Sequence, residues 1–256
     1  LGNQMFEYCR FRDLMESGHD EVYLFYDHRR LKQHNGLRLS DCFELELPSC
    51  PWGIKLVVWG LKICRAVGVL KRLYDDEKPE AVLIDDYSQH RRFIPNARRY
   101  FFFRQFLAEL QSGFVQMIRA VDYPVSVHVR RGDYLHPSNS IFGLCGVDYF
   151  QQAIAYVRKK RPDARFFFFS DDMEWVRENL WMEDAVYVEH TELLPDYVDL
   201  YLMTLCRGHI ISNSTFSFWG AYLAVDGNGM KIYPRRWFRD PTWTSPPIFS
   251  EEWVGL

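Results

Sequence analysis

The chain has 256 residues, a formal net charge of −3 and 48% apolar residues, which is enough for one large or two modest packed domains and argues against disorder. With a pI near 6.3 it lacks the general basic character that holds nucleic acid by counterion release, so no nucleic-acid partner is expected and any anion must be met by a local cluster. The six cysteines show no CxxC or His/Cys metal spacing. Free thiols in a reducing, cytoplasmic setting follow from that pattern, with a Cys42–Cys50 disulfide as the alternative.

Taken in chain order, LGNQ has the look of a turn between a strand and a helix, so a first strand is expected just upstream of it. QMFEYCRFRDLMESG then predicts a helix closed by Gly18, and EVYLFY (21–26) predicts a strand. The stretch IKLVVWGLKICRAVGVLKRL (54–73) predicts an amphipathic helix whose apolar residues are interrupted by Lys55, Lys62, Arg65, Lys71 and Arg72. It reads either as a domain helix with a solvated basic face or as a peripheral contact with the inner face of an anionic membrane. A boundary between Phe114 and Tyr123 divides the chain into domains 1–118 and 119–256.

Beyond that boundary strand and helix patterns alternate with short turns, the mark of a parallel sheet with helices on its faces. Strands are predicted at Val125–Val129, Arg165–Phe169, Ala185–Val188, His209–Ser212 and Lys231–Tyr233. Helices are predicted in DYFQQAIAYVRKK, in DDMEWVRENL with Ser170 as its N-cap, in DYVDLYLMTLC, and in FWGAYLAV from about Ser217. Five such strands make a Rossmann-like half. The many aromatic residues, among them RRYFFFRQF and RFFFFS, are expected mainly in the core, with the remainder lining a sugar site.

Ligands of an open parallel sheet bind beyond the carboxyl ends of its strands. VSVHVRRGDY places a buried strand before Arg130 and Arg131, whose planar forks match two phosphate oxygens at once. Pairing of these arginines with neighbouring carboxylates is the alternative; an adhesion role for the RGD triplet is set aside because it follows a buried strand. In ISNSTFSFWGAYL, small hydroxyl residues directly before a helix direct backbone N–H groups and side-chain donors at one spot, an anion site or an ordinary capped helix start.

Together LGNQMFEY, HVRRGDY, FFSDD and SNSTFSFWGAYL, with the closing IYPRRWF and SEEW, resemble in that order the motifs of the α-1,2-fucosyltransferases, glycosyltransferase family 11. Phe218 stands where these enzymes often carry a tryptophan. The resemblance implies an α/β fold of the GT-B kind, with two Rossmann-like domains facing across a cleft, the first on the acceptor side and the second holding the donor. It implies GDP-β-L-fucose as donor and inverting transfer to the 2-hydroxyl of a terminal β-galactoside, carried on an oligosaccharide or a lipid-linked glycan. Another fucosyl linkage, or a non-catalytic nucleotide-sugar module, are the alternatives. No cofactor or metal is expected, and the sequence contains no D-x-D pair to hold one against a diphosphate.

By the same resemblance His128 sits against guanine or ribose and Arg130 on the β-phosphate, while Arg131 braces its loop. Asp199 is a candidate to accept from guanine N1 and N2. Asn3 and Gln4 are candidates for phosphate or fucose hydroxyls, and Asn213, Ser214, Thr215, Phe216 and Ser217 for the diphosphate. Asp133 and His136, in the arginine loop, are the candidates for the general base that inverting transfer calls for.

Overall fold

The computed structural model describes residues 1–19, 21–26, 36–66, 87–110, 113–139, 141–189 and 194–256. By contact the chain divides into two compact units, Leu1 with Asn3–Phe102, and Gly2 with Phe103–Leu256.

The first unit is helical where it is regular. Helix α1 (Gly2–Glu16) buries Met5, Phe6, Tyr8 and Cys9 in its first turns, then becomes solvated and carries the ion pairs Arg10–Asp13 and Arg12–Glu16. Gly18, at φ +88, follows its end, a left-handed position that favours glycine. Tyr8 packs its ring near those of Tyr100 and Phe101, and Phe101 meets Phe43, forming a small aromatic core. Helix α2 (Trp52–Ala66) covers the front of the expected basic helix; residues 67–73 lie outside the described set. No described helix is long and apolar enough to cross a membrane.

EVYLFY is not a strand. Its residues are irregular, with Tyr26 buried and its hydroxyl donating to the Gln4 carbonyl at 2.9 Å. A strand needs a neighbour for its backbone groups, and the described part of the first unit contains none. Cys42 and Cys50 are both free thiols, so the alternative of a bridge between them is discarded.

The second unit has a single helical turn at Gln105–Ala108, then α3 (Gly113–Arg119), and is then built on one parallel sheet. In chain order its elements are β1 (Tyr123–Val129), α4 (Val147–Lys160), β2 (Ala164–Ser170), α5 (Met173–Asn179), β3 (Val186–Tyr187), α6 (Tyr197–Thr204), β4 (Gly208–Ile210), α7 (Thr215–Tyr222), β5 (Lys231–Tyr233) and β6 (Val254–Gly255). The strand order is β3-β2-β1-β4-β5-β6 with every pair parallel, the order of doubly wound nucleotide-binding sheets.

Period-two burial explains how this sheet is covered. Val125, Val127 and Val129 of β1, with Phe166 and Phe168 of β2, join Phe150, Ile154 and Val157 of α4 and Val176 of α5 in one apolar cluster. The opposite face carries Ser126, His128, Phe167 and Phe169, all buried, and His128 meets Phe216 of α7. Burial on both faces is why β2 reads as an unbroken run of phenylalanines, each fully buried ring contributing about 1.5–3 kcal/mol. Asp148 in the first turn of α4 and Arg158, Lys159 and Lys160 in its last complement the helix dipole.

The five expected strands are present, and a sixth, β6, adds at the edge beside β5. Its two residues are too few to give a periodic signal. Ser170 is not the N-cap of α5. Asp172 takes that place, accepting from the Trp175 N–H at 3.2 Å, while Ser170 Oγ accepts from the Asp172 N–H and donates to the Val129 carbonyl. Helix α7 starts at Thr215, two residues before the expected point.

Candidate functional site

The strand order reverses between β1 and β4, so their carboxyl ends lie side by side while the connections leave in opposite directions, and a crevice opens between them. HVRRGDY leaves β1 at this point and ISNST leaves β4. Two bonds join the turns. His128 Nδ1 and Ser212 Oγ are 3.1 Å apart, and the Tyr134 hydroxyl donates to the Asn213 carbonyl at 2.9 Å.

Arg130 is the centre of the β1 turn. Its Nε donates to Asp133 Oδ1 at 2.8 Å and its Nη1 lies 3.2 Å from Asp171 Oδ2, at the end of β2. No such bond engages Nη2 among the described residues, and the side chain is 31% exposed, so this nitrogen can meet an incoming anion. Arg131 is fixed differently. Its backbone N–H donates to Asp171 Oδ1, its Nε donates to Asp172 Oδ2, and its guanidinium lies 4.0 Å from the centre of the Trp175 ring. Asp171 thus ties both arginines, and Gly132 lets it approach: a Cβ there would stand 2.9 Å from Asp171 Oδ2.

His128 is 4% exposed; burial, reinforced by the Arg130 charge, lowers its pKa to about 3. Its imidazole is therefore neutral near neutral pH, suited to hydrogen bonding or ring packing rather than to binding phosphate as a cation. Across the β4 turn Ser214 is the N-cap of α7 in extended conformation, with no capping bond from its side chain. The first N–H groups of the helix have no intrahelical acceptor. Ser217 Oγ donates back to the Ser214 carbonyl at 3.1 Å, Thr215 and Phe216 are half-buried, and Ser214 and Ser217 are buried.

Asn213 is fully buried, its Nδ2 donating to the carbonyls of Gly143 and Trp237 at 2.6 and 2.7 Å and its Oδ1 accepting from Cys145. Its side chain braces the turn. Asp199 lies half-buried in the first turn of α6, which packs on α7. His136 is exposed, its backbone N–H donating to the Asp133 carbonyl at 3.2 Å, and it lines a cavity of about 740 Å³ with Tyr134, Phe142, Gln152, Arg236 and Arg239.

The second unit therefore brings together His128, Arg130, Asp133 and the 213–217 turn. Asn3 and Gln4 belong to the first unit. There Asn3 Oδ1 accepts from Gln89 Nε2 at 3.0 Å, and both ends of the buried Gln4 amide are engaged, Nε2 donating to the Gly36 carbonyl and Oε1 accepting from the Arg38 N–H. Sequence reading missed Asp171, Gly132 and Tyr134. The available signal was that two charged turns, RRGDY and SDD, follow consecutive strands that pair in parallel. Among the described residues no group of three or more His, Cys, Asp or Glu is placed to hold a metal ion.

A family model described as Glycosyl transferase family 11 matches residues 96–256. Over its whole length the chain is 27% identical to an Alpha-1,2-colitosyltransferase of Escherichia coli, covering 96% of that protein. It is 36% identical to the O-antigen biosynthesis glycosyltransferase WbnK of Escherichia coli over 51% of this chain and 44% of that one. It is 33% identical to the Galactoside 2-alpha-L-fucosyltransferase SEC1 of Bos taurus over 52% of this chain and 38% of that one. The chain thus spans less than half the length of the last two relatives and nearly all of the first. With a doubly wound sheet, paired arginines at its switch point and a match over more than half its residues, the chain belongs to glycosyl transferase family 11.

Proposed function

We propose that the chain transfers L-fucose from GDP-β-L-fucose, with inversion, to the 2-hydroxyl of a terminal β-galactoside, in a GT-B arrangement whose second half holds the donor. The observation that carries this reading is Arg130 at the switch point, held by Asp133 and Asp171 through Nε and Nη1 and still 31% exposed. The acceptor oxygen attacks the anomeric carbon from the face opposite GDP. As that bond forms, the bond from the anomeric carbon to the diphosphate oxygen breaks, and negative charge grows on the leaving group.

Arg130 and the N–H groups opening α7 are the donors that meet this charge. Asp133, bonded to Arg130 Nε, is the candidate to accept the proton of the acceptor hydroxyl. Neutral His128 packs the nucleoside, and Asp199 accepts from guanine.

A second reading concerns the donor. A relative matched over the whole chain is a colitosyltransferase, and colitose differs from fucose by lacking one hydroxyl. A site that hydrogen-bonds the missing hydroxyl would prefer fucose by about 10⁴-fold or more, whereas an apolar wall would separate the two by roughly 10²-fold or less. The test offers GDP-fucose and GDP-colitose to the purified chain with lactose as acceptor, with and without EDTA. Formation of 2′-fucosyllactose that persists in EDTA is expected. Transfer from GDP-colitose alone moves the donor to the second reading, and absence of transfer or hydrolysis with either donor overturns both.

A further inference from the structure

Helix α2 exposes an apolar face instead of burying it. Trp52, Leu56, Trp59 and Ile63 are 73%, 52%, 50% and 64% exposed. They recur at i, i+4, i+7 and i+11, and at 3.6 residues per turn fall within about 60° of one another around the axis. The inward side is carried by Val58, 7% exposed, with Ile54 and Leu61 half-buried. The helix is therefore apolar on both sides, and its outward apolar residues are each at least half exposed.

Charge sets the outward face apart from an ordinary solvated surface. Lys55 and Lys62 lie about two turns apart on the same flank of the stripe, and Lys62 Nζ is 5.7 Å from the centre of the Phe25 ring. From Leu47 to Tyr74 the sequence contains no aspartate or glutamate, but it contains Lys55, Lys62, Arg65, Lys71 and Arg72. The other flank holds Gly53 and Gly60, neither with any atom of the described residues within 4 Å of a would-be Cβ.

We propose that α2 docks the protein on an anionic lipid surface, the tryptophan–leucine–isoleucine stripe entering the interface and the lysines meeting lipid phosphates. Two exposed tryptophans suit the headgroup boundary, where an indole buries its ring and keeps its N–H hydrated. Basic side chains beside an apolar face that is too short to span a bilayer give binding that scales with apolar area and anionic charge together. A water-soluble protein partner would need acidic groups matched to the lysines, whereas an anionic bilayer presents them at every position. Docking is independent of which sugar is transferred.

The test is co-sedimentation of the full chain with vesicles of phosphatidylcholine mixed with phosphatidylglycerol, against vesicles of phosphatidylcholine alone, with tryptophan emission recorded in parallel. Binding at least roughly tenfold stronger to the mixed vesicles is expected, weakened by salt and accompanied by a blue shift. Lys55→Glu with Lys62→Glu should lower that binding by roughly tenfold or more. Trp52→Ser with Ile63→Ser should abolish the blue shift, and all variants should retain GDP affinity and melting temperature. Trp52→Ser alone, at the most exposed position, serves if a double variant misfolds. Equal binding to neutral vesicles, no binding to either, or variants that bind as the parent does overturns the proposal. So does a concentration-dependent dimer that the stripe variants dissociate, which would give the face to a second copy of the chain.

Discussion

Arg130 Nη1 lies 3.2 Å from Asp171 Oδ2, so the arginine that follows β1 is steadied by the carboxylate that follows β2. The neighbouring strand supplies the brace, and the guanidinium is aimed before any ligand arrives. Preorganisation of this kind removes the cost of orienting a donor at the moment charge develops.

Arg130→Ala should therefore lower kcat by roughly 10²–10³, as expected for the loss of one preorganised donor to a growing anion. Arg130→Lys should restore little, because an ammonium keeps the charge and loses the fork. Asp171→Asn, which retains the shape of the brace, should cost less than Arg130→Ala. Steady-state kinetics with a galactoside acceptor, with thermal melts of each variant, make the comparison; an Arg130→Ala enzyme of parental kcat would contradict the role.

Gly132→Ala tests the brace without touching a charged group. The added methyl would stand 2.9 Å from Asp171 Oδ2 and 3.1 Å from its Cγ, so the carboxylate that bonds both arginines must shift. A small change in melting temperature with a fall in kcat of about tenfold to a hundredfold is expected, since displacements near 1 Å can cost that much. Parental kcat would show that the Asp171 contact has no part in aiming Arg130.

Asp199→Asn should weaken GDP binding by about 1.5–3 kcal/mol, the scale of a hydrogen bond to a charged acceptor, and should narrow the preference for GDP over ADP. Calorimetry measures both. Unchanged GDP affinity would leave Asp199 as a half-buried helix residue with no part in reading the base.

Acid should destabilise the second unit through two buried histidines. His128 and His209 have pKa values lowered to about 3, His128 by burial and the Arg130 charge, His209 by burial and the Lys231 charge. Unfolded histidine titrates near 6.5, so between about pH 3 and 6.5 the unfolded chain binds the additional protons and stability falls as pH is lowered. Each histidine contributes a slope approaching about 1.4 kcal/mol per pH unit in that window. His209 Nδ1 is 2.8 Å from Ser126 Oγ, inside the sheet. Denaturant midpoints from pH 7.5 to 4.5 should fall less steeply for His209→Asn than for the parent; identical slopes would remove His209 from this linkage.

The sheet was legible because its strands are apolar runs bounded by charged or small residues, as at Val125–Val129 and Phe166–Phe169. Arg130 and the 213–217 turn were legible because they are polar stretches just beyond strands, and His128 because it is a polar residue inside an apolar strand. Asp171 and Gly132 were not, because their importance lies in a contact 40 residues away, between Asp171 and the backbone of Arg131, which no local pattern encodes. The irregular 21–26 segment shows the reverse. Its composition favours a strand, but pairing requires a neighbour, and the described first unit provides none.

The pairing of β1 with β4 also bears on how the molecule is made. Ser126 and His209, bonded across that pair, are 83 residues apart, whereas β2 follows β1 by a single helical crossover. Closing so long a loop is entropically unfavourable before the contacts form, so the β1–β2–β3 half is expected to assemble early and β4 to join it late. The crevice that holds the paired turns comes into being at that late step. A nucleotide binding there would recognise the completed chain alone, and so would hold shut the seam that closes last and opens first.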